Sequence, residues 1–509
     1  MLFRRQSKTR RSVSGQRLTK NGCKGEEFKG LTAEEQANKK VVVVGGGPAG
    51  LAAAVELARH QVPVLLLEAT ERLGGRATSW TDRRTERLVD NCQHVAMGCC
   101  TQFLEFCRLV GADGYLQRHR RLFFVSPPRE KEKACEVSVL RPAPLPAPLH
   151  WLPSFCRARF LSAREKLALL RGLTRLIRAE RQNDATETSF AEWLKRTGQP
   201  PRTITRFWEP ILVSALSESL ERISVSYARQ VFVQGFLAGR HSADLWLPTV
   251  PLERFWRLTA AKWLQQHGGE VRLRARVRGF QTEGQQVVAA ELADGSHVKA
   301  SAFVLAVPHT AALRLTPPAV QNELTRLGVP RLENSAIASV HLWFDRPVTS
   351  LPHAVLLERL SQWLFTNAAS FASGQKKTSL SARLADQATF HSTNTSPFYC
   401  QVVISNASEL KHLPSEELVT HVQRELTATW PSAGQAELQA ARVFVEPRAV
   451  FAPLPGVDRL RPSPTTCLRN FVLAGDWTNT GWPSTLEGAV RSGRQAARVL
   501  LTPERLRLA

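Results

Sequence analysis

Three glycines near the start of the chain have the spacing of a phosphate-binding turn. Gly45, Gly47 and Gly50 stand in G-x-G-x-x-G register directly after four valines at 41–44, a run typical of a buried strand. The first glycine permits a tight turn, the second lets a phosphate approach the backbone, and the third lets a helix pack closely on the strand. The free N–H groups at the start of that helix would then bind a pyrophosphate.

The position of Glu68 extends this interpretation to a dinucleotide. A second apolar strand is predicted at 62–67, and Glu68 ends it, about 20 residues after the glycines. A carboxylate there can accept hydrogen bonds from both ribose hydroxyls and disfavours a 2′-phosphate, which predicts NAD or FAD rather than NADP. The alternative, a glycine-rich turn that binds nothing, does not explain Glu68.

A second glycine turn, Gly74-Gly75-Arg76, follows the acid. The two glycines can bend the backbone around the pyrophosphate while Arg76 neutralises its charge. The alternative is a plain hairpin turn. The order of glycine turn, acid and G-G-R turn resembles the flavoprotein group of amine oxidases, protoporphyrinogen oxidases and carotenoid-type desaturases. That resemblance implies FAD as cofactor and an α/β architecture: a Rossmann-like FAD-binding domain with a mixed α+β substrate domain.

The C-terminal region carries a matching motif. A strand predicted at 471–474 ends at Gly475 and Asp476, and a helix is predicted to begin near Thr485 and Leu486. Asp476 could bind the ribityl or pyrophosphate side of FAD, and the N–H groups of the helix could face the N1–C2=O2 edge of the flavin. The resemblance further implies that the backbone at Val277 meets the adenine.

The stretch D-N-C-Q-H at 90–94 narrows the resemblance. It is similar to the D-N-G-Q-H form of the squalene-associated desaturases, the hydroxysqualene dehydroxylases, from which it departs by Cys92 in place of glycine. His94 is the candidate general acid, although it could equally cap the next helix or satisfy buried backbone. Asp90 is interpreted as a structural hydrogen-bond acceptor.

Composition bounds the partners and the compartment. The net charge of +24 suits an anionic membrane surface or an anionic cofactor, and the chain has no nucleic-acid-binding motif, so no nucleic acid partner is expected. Its nine cysteines include no C-x-x-C pair, which predicts free thiols, a reducing cytoplasmic compartment and no metal site. The sequence contains no apolar run of 18 residues, so no membrane-spanning helix is predicted.

One predicted helix could lie on a membrane. Ser162 to Glu165 form a capping box, and the following helix carries Leu167, Leu170, Leu173 and Ile177 on one side with arginines around it. Apolar contact with basic residues at the headgroups predicts peripheral membrane association. The alternative is an ordinary amphipathic helix packed on the substrate domain.

The chain divides by composition into six expected segments. They are a disordered basic tail at 1–38, FAD-binding segments at 39–125, 266–310 and 451–509, a helical substrate- or membrane-facing insertion at 126–265, and a substrate-domain sheet at 311–450. Single strands are predicted at 271–278, 287–292 and 298–307, and a polar loop at 370–395.

The resemblance also ranks the possible activities. An amine oxidase is expected to carry paired aromatic residues, often tyrosines, beside the flavin, but the three tyrosines, Tyr115, Tyr227 and Tyr399, lie outside the C-terminal motif. The favoured function is reductive dehydroxylation of hydroxysqualene to squalene in squalene and hopanoid biosynthesis, alongside squalene-synthase-like enzymes. The alternatives are a carotenoid (phytoene-type) desaturase, an amine oxidase- or protoporphyrinogen oxidase-like flavoenzyme, and a non-catalytic FAD-bearing scaffold.

Overall fold

The computed structural model describes residues 40–128, 134–179, 188–366 and 397–502. The predicted basic tail at 1–38 and the predicted polar loop at 370–395 lie outside the described residues. Within them, two sheets organise the chain, and the glycine turns lie at the ends of strands in the first.

The first sheet is parallel and has five strands. In spatial order they are Glu270–Arg272, Val64–Leu67, Val41–Val44, Ala302–Leu305 and Phe471–Leu473. All of these strands except Glu270–Arg272 consist entirely of buried apolar residues, because other elements of the protein cover both faces of the sheet. Helices Pro48–Arg59 and Leu486–Leu500 cover one face, and a three-stranded antiparallel sheet packs on the other. The predicted Rossmann-like domain is confirmed.

The second sheet has seven strands and is mostly antiparallel. Its spatial order is Leu438–Phe451, Asn334–Phe344, Phe398–Ser405, Trp363–Thr366, His353–Leu356, Leu122–Ser126 and Glu136–Leu140. Even-numbered residues of Asn334–Phe344 pack against helix Ser415–Thr429. Odd-numbered residues of the same strand therefore face the opposite way, toward the first domain.

The remaining elements connect these sheets. Three smaller sheets contain Val277–Glu283, Gln286–Leu292 and His297–Lys299; Ser79–Thr81 and Leu88–Asp90; and Ala96–Met97, Leu245–Pro248 and Leu116–His119. The other α-helices are Thr101–Leu109, Leu152–Arg157, Ala163–Arg178, Phe190–Arg196, Pro201–Thr203, Glu209–Leu216, Val225–Gln230, Leu252–Trp256, Lys262–Gln266, His309–Leu315, Pro318–Leu327 and Pro431–Gly434. Ile204–Trp208, Val231–Leu237 and Arg257–Ala261 are π-helical, and short 3₁₀ turns occur at Asp113–Tyr115, Leu149–Trp151, Val329–Arg331, Glu409–His412 and Val457–Leu460.

Two of the predicted single strands are wrong as continuous elements. The stretch 271–278 breaks after Arg272, and Arg274 adopts a left-handed φ of 56° before the next strand begins at Val277. The break follows from hydrogen bonding, because the Ala275 N–H donates to the Glu68 carbonyl at 2.8 Å and turns the chain from one sheet to the next. The stretch 298–307 likewise contains two strands that belong to different sheets.

The segment predicted as a helical insertion, 126–265, is helical only in part. Glu136–Leu140 forms an edge strand of the seven-stranded sheet, and Leu245–Pro248 pairs with strands from 96–97 and 116–119. Helices dominate between these two strands. The expected domain boundaries stay predictions.

Candidate active site

The glycines of the first turn have different structural roles. Gly45 has a φ of +111°, and a Cβ on Gly50 would lie 1.9 Å from the Gly45 carbonyl oxygen, so neither position accepts a side chain. A Cβ on Gly47 would meet nothing within 4 Å. Gly47 is therefore the position at which the backbone faces open space, as a pyrophosphate site requires.

Glu68 holds this turn in shape. Its Oε2 accepts a hydrogen bond from the Gly46 N–H at 2.7 Å, and its Oε1 accepts bonds from the Thr70 N–H at 2.8 Å and the Thr70 hydroxyl at 2.9 Å. A carboxylate offers about four acceptor positions, so these bonds leave capacity for a ribose hydroxyl. The ribose contact of Glu68 stays a prediction, and its bond to the glycine turn is an added structural role.

The G-G-R turn lies directly against the first turn. The Gly74 N–H donates to the Gly46 carbonyl at 2.9 Å, and a Cβ on Gly75 would lie 3.4 Å from the Gly47 Cα. Two backbones without side chains thus meet at this point. The arrangement supports the prediction that both turns bind the same pyrophosphate.

Arg76 joins the N-terminal and C-terminal motifs. Its Nη2 lies 2.5 Å from Asp476 Oδ1, across 400 residues of sequence, and its Nη1 donates to the Ala449 carbonyl at 2.8 Å. The sequence predicted that Arg76 neutralises the pyrophosphate, whereas here its guanidinium binds protein groups on two sides. Arg76 thereby fixes the C-terminal motif relative to the glycine turns.

Asp476 is buried between this guanidinium and a hydroxyl. Its second oxygen accepts a hydrogen bond from Ser484. Burial alone would raise the pKa of Asp476, but the charge of Arg76 and the bond from Ser484 hold that pKa below its ordinary value. The carboxylate is therefore ionised at neutral pH and can accept hydrogen bonds from a ligand.

The helix Leu486–Leu500 begins beside this carboxylate. Thr485 is its N-cap, with Oγ1 accepting from the Gly488 N–H at 3.2 Å, and Leu486 is its first residue. Gly475, with a φ of +144°, leaves the preceding strand and donates its N–H to Ser492 of this helix at 2.9 Å. The predicted strand, turn and helix start are confirmed, and their contacts with the flavin stay predictions.

A cleft opens where these motifs meet. It is narrow, with a free volume of about 10 Å³, is partly open to solvent, and is lined by Arg76, Pro308, His309, Thr310, Asn334, Arg448, Phe451, Asp476 and Trp477. The lining combines two guanidinium groups with aromatic rings.

The D-N-C-Q-H segment packs against the same turns. The Asn91 side-chain N–H donates to the Arg76 carbonyl, and Asn91 Oδ1 is buried without a hydrogen-bond partner among the described residues. Asp90 accepts from the Leu252 N–H at 3.1 Å at the start of a helix, which supports its structural interpretation. Burial raises the pKa of Asp90 to about 6.

His94 is a neutral imidazole in this setting. Burial and the charge of Arg76 lower its pKa, against the opposing effect of the Cys92 carbonyl, which lies 2.9 Å from Nδ1. A carbonyl only accepts, so Nδ1 carries the proton of the neutral ring and Nε2 is an acceptor. In this state Nε2 can accept a hydrogen bond from a neighbouring donor and so orient it, but the neutral ring has no spare proton to deliver. The general-acid role predicted for His94 therefore gains no support from the structure.

Val277 is the first residue of its strand, pairing with Leu292, and the loop before it follows Glu68 and Thr70. The Arg274 and Ala275 N–H groups of that loop donate to the Thr70 and Glu68 carbonyls, so Val277 follows a loop that is bonded to the strand end carrying Glu68. Its contact with the adenine stays a prediction.

Sequence reasoning missed two groups of site residues. Glu487 is fully buried, and its Oε2 accepts from the Phe103 N–H at 2.7 Å, so it ties the C-terminal helix to helix Thr101–Leu109. Ser339, His341, Tyr399 and Gln401 form a polar cluster on the inner face of the seven-stranded sheet. A signal in the sequence was the pair of polar residues Ser339 and His341 at alternate positions in the mostly apolar half of the strand Asn334–Phe344.

The fold and the site together define an FAD-dependent oxidoreductase with a Rossmann-like domain and a separate substrate sheet. The open backbone at Gly47, the ionised Asp476 and the orphaned Asn91 Oδ1 all fit a dinucleotide with a flavin ring. The family model described as flavin containing amine oxidoreductase matches residues 48–501, and the chain belongs to that family. FAD is its cofactor.

Two relatives of named activity are similar to this chain over most of its length. The chain is 28% identical to a hydroxysqualene dehydroxylase of Sinorhizobium fredii, over 91% of this chain and 99% of the relative. It is also 28% identical to a probable zeta-carotene desaturase of Synechococcus elongatus, over 91% and 98%. An oxidoreductase structure from Methanosarcina mazei superimposes with a TM-score of 0.63 at 15% identity, covering 89% of this chain and 98% of that one, which supports the fold.

Proposed function

We propose that this protein removes the allylic hydroxyl of hydroxysqualene reductively and releases squalene and water, in squalene and hopanoid biosynthesis beside squalene-synthase-like enzymes. The similarity to hydroxysqualene dehydroxylases over nearly the full length of both chains supports the proposal. The observation that carries it is the D-N-C-Q-H segment, whose Asn91 binds the backbone of Arg76 at the cofactor turns. A polar segment at that place suits an alcohol better than a pure hydrocarbon.

The residues of this chain position the reaction and keep water away. Reduced FAD, when bound, supplies the hydride that replaces the hydroxyl. The departing oxygen needs a proton, and the carbocation left behind must be shielded from water, which would trap it. Aromatic rings of Trp80, Trp343 and Phe444 line the inner face of the sheet beside the D-N-C-Q-H segment and supply an apolar surface for that purpose.

A carotenoid-type desaturase is the second candidate, and a specific observation favours it. The zeta-carotene desaturases align over as much of this chain, at 24% to 28% identity, as the dehydroxylases do. A desaturase would remove hydrogen from an unfunctionalised polyene. An amine oxidase- or protoporphyrinogen oxidase-like activity has support from the shared fold alone.

Product analysis separates these candidates. In one reaction the FAD-bearing protein is reduced under argon and incubated with hydroxysqualene; in a second, the oxidised FAD-bearing protein is incubated with phytoene or zeta-carotene and a quinone as electron acceptor. The lipids of both reactions are identified by mass spectrometry. Squalene from the alcohol supports the proposal. New double bonds in the carotenoid, with no squalene from the alcohol, would establish the desaturase instead.

We further propose that the protein works at the cytoplasmic surface of a membrane. No helix within the described ranges has the length and apolar character needed to cross a bilayer. Twelve large apolar side chains are exposed in those ranges, and eight of them fall between residues 137 and 177. This apolar patch consists of Val137, Val139, Leu145, Leu149, Leu152, Leu167, Leu170 and Ile177.

Exposed basic residues share the stretch of chain that carries the apolar patch. The Lys166 amine donates to the Cys156 carbonyl at 2.8 Å, which holds the two helices of the patch together. Six exposed arginines lie in the same stretch of sequence, namely Arg157, Arg159, Arg164, Arg171, Arg175 and Arg178. The two acids of this region, Glu136 and Glu165, both pair with arginines. Exposed apolar side chains together with exposed cationic side chains fit an anionic lipid surface.

Vesicle binding tests this surface. The double variant Leu167→Asp/Leu170→Asp removes two side chains that are half exposed, and the matched control Leu327→Asp/Leu413→Asp changes exposed leucines elsewhere. We expect the first variant to bind phosphatidylglycerol vesicles at least about tenfold more weakly, and the control to bind as the wild type does. Equal binding by both variants would refute the assignment of the patch.

A further inference from the structure

Arg461 is a buried guanidinium group that contacts the C-terminal motif. The residue is 3% exposed, and it lies between the 3₁₀ turn Val457–Leu460 and the strand Phe471–Leu473. Its Cζ atom lies 4.7 Å from the centre of the Phe451 ring, so an aromatic face packs against the charge. A charge taken out of water costs free energy unless hydrogen bonds and opposite charges compensate it. The groups that surround Arg461 therefore indicate what the protein gains from it.

One nitrogen of the guanidinium, Nη1, is anchored by a tyrosine and a carboxylate. Nη1 donates to the Tyr227 hydroxyl at 2.7 Å and to Asp458 Oδ1 at 2.8 Å, and the Tyr227 hydroxyl donates to the same Asp458 oxygen at 2.6 Å. The Asp458 side chain is 52% exposed, whereas that of Arg461 is 1% exposed. Because the guanidinium is planar and rigid, these bonds also fix the direction in which the other terminal nitrogen, Nη2, points.

The second nitrogen, Nη2, is surrounded by the loop 476–482. It lies within hydrogen-bonding distance of four oxygens, all from alternate residues of that loop. They are the carbonyl oxygens of Asp476 at 3.1 Å, Thr478 at 2.6 Å and Trp482 at 2.9 Å, and the Thr480 hydroxyl at 3.1 Å. Nη2 carries two hydrogens, so these oxygens share two N–H groups. The loop is therefore curled around one buried cation.

This loop joins the two groups that are predicted to contact FAD. It begins at Asp476 and leads to Thr485, the N-cap of helix Leu486–Leu500. The C=O and N–H groups of a trans peptide point in opposite directions. Because the Asp476 carbonyl points toward Arg461, the N–H of Trp477 points away from it. Arg461 thereby sets the orientation of the backbone that carries the Asp476 carboxylate.

We propose that Arg461 is a positioning residue for FAD. It holds the loop 476–482 so that the Asp476 carboxylate and the first turn of helix Leu486–Leu500 bind the cofactor together, without contact between Arg461 and FAD. The inference goes beyond the proposed function, because it applies to the bound cofactor whatever lipid reacts with it. A residue that only stabilised the fold would change the thermal midpoint and leave the FAD affinity of the folded protein unaltered.

FAD binding to the folded protein tests this role through Arg461→Lys. Lysine keeps the positive charge but replaces the planar fork with a single nitrogen, which cannot bond to Asp458 and to the loop in the same way. We expect the dissociation constant of FAD to rise at least about tenfold, because charge-assisted hydrogen bonds to the loop are lost. We also expect the visible circular dichroism of the bound flavin to change. Both are measured well below the thermal midpoint of the variant.

A matched control and a second variant complete the test. The control Arg469→Lys alters an exposed arginine whose side chain bonds to Gln285, and it should bind FAD as the wild type does. Thr480→Val leaves Arg461 in place and removes one of the loop oxygens around Nη2. We expect about threefold weaker FAD binding by this variant, which decides the question if Arg461→Lys does not fold.

Wild-type FAD affinity and an unchanged flavin spectrum in the folded variants of Arg461 and Thr480 would overturn the proposal, even where the thermal midpoint falls. Equal weakening by Arg469→Lys would overturn it as well, because the effect would then not depend on the loop.

Discussion

The ion pair between Arg76 and Asp476 offers the sharpest test of how the two halves of the FAD domain are joined. Arg76→Ala leaves the Asp476 carboxylate, which is 5% exposed, with only the Ser484 hydroxyl as a side-chain donor. Breaking a buried pair costs about 3–5 kcal/mol, and the partial exposure of Arg76 places this case near about 3 kcal/mol. We expect a lower thermal midpoint for the FAD-free protein and weaker FAD binding.

A double-mutant cycle isolates the pair. The double variant Arg76→Ala/Asp476→Asn removes both charges of the pair, so it leaves no unpaired carboxylate at this place and should be more stable than Arg76→Ala alone. The coupling energy between the two side chains should be about 2 kcal/mol. The midpoints are measured by calorimetry or circular dichroism on all four proteins. If Asp476→Asn recovers nothing in the Arg76→Ala background, the two side chains do not act as a pair and the reasoning is refuted.

The same variant has a pH dependence with a defined sign. In the wild type the pKa of Asp476 is lowered, so the pair contributes stability that is present above the unfolded pKa and lost as the pH falls through the folded pKa. Without Arg76, burial raises that pKa instead. The loss of unfolding free energy in Arg76→Ala, relative to the wild type, should therefore be larger at about pH 7.5 than at about pH 4.5. A deficit that grows toward acid pH would contradict this assignment.

Three other substitutions have clear expected results. Gly47→Ala should fold but bind FAD at least about tenfold more weakly, whereas Gly50→Ala should fail to fold, because its Cβ would meet a carbonyl oxygen at 1.9 Å; circular dichroism and flavin titration check both. Glu487→Gln should lower the free energy of unfolding by about 1–2 kcal/mol through weaker bonds to helix Thr101–Leu109, as denaturant titration would show. His94→Asn should keep dehydroxylation within about tenfold, and a loss above about a thousandfold would restore His94 as the proton donor.

The nucleotide turns could be predicted because their residue types have few other uses. Glycines at 45, 47 and 50 after a run of valines leave little choice of local structure, and the structure confirms the strand, turn and helix that they imply. Glu68 was predicted to contact the nucleotide because it lies about 20 residues after the glycines. Its bond to the Gly46 N–H was not predicted, because spacing indicates a ligand contact and says nothing of protein donors.

The meeting of distant residues could not be predicted from spacing. Arg76 was assigned to the pyrophosphate because a basic residue after two glycines suggests that contact, yet its carboxylate partner stands 400 residues away. His341 and Tyr399 meet through the register of two antiparallel strands, 58 residues apart in sequence. Alternation predicts that Ser339 and His341 share a face, but not which strand lies beside them.

The proposal of an alcohol rather than a hydrocarbon substrate rests on polar groups beside the D-N-C-Q-H segment more than on sequence similarity. The dehydroxylase and desaturase relatives match the chain at the same 28% identity, so similarity gives no preference. A polyene surface needs only apolar contacts, and a desaturase would gain nothing from a buried imidazole, tyrosine, serine and amide held beside the flavin turns. An alcohol must exchange its hydrogen bonds with water for others inside the protein. The cluster lies beside the D-N-C-Q-H segment, where Ser339 donates to the Asn91 carbonyl, and this polar surrounding is an argument for the proposed alcohol substrate that the product assay tests.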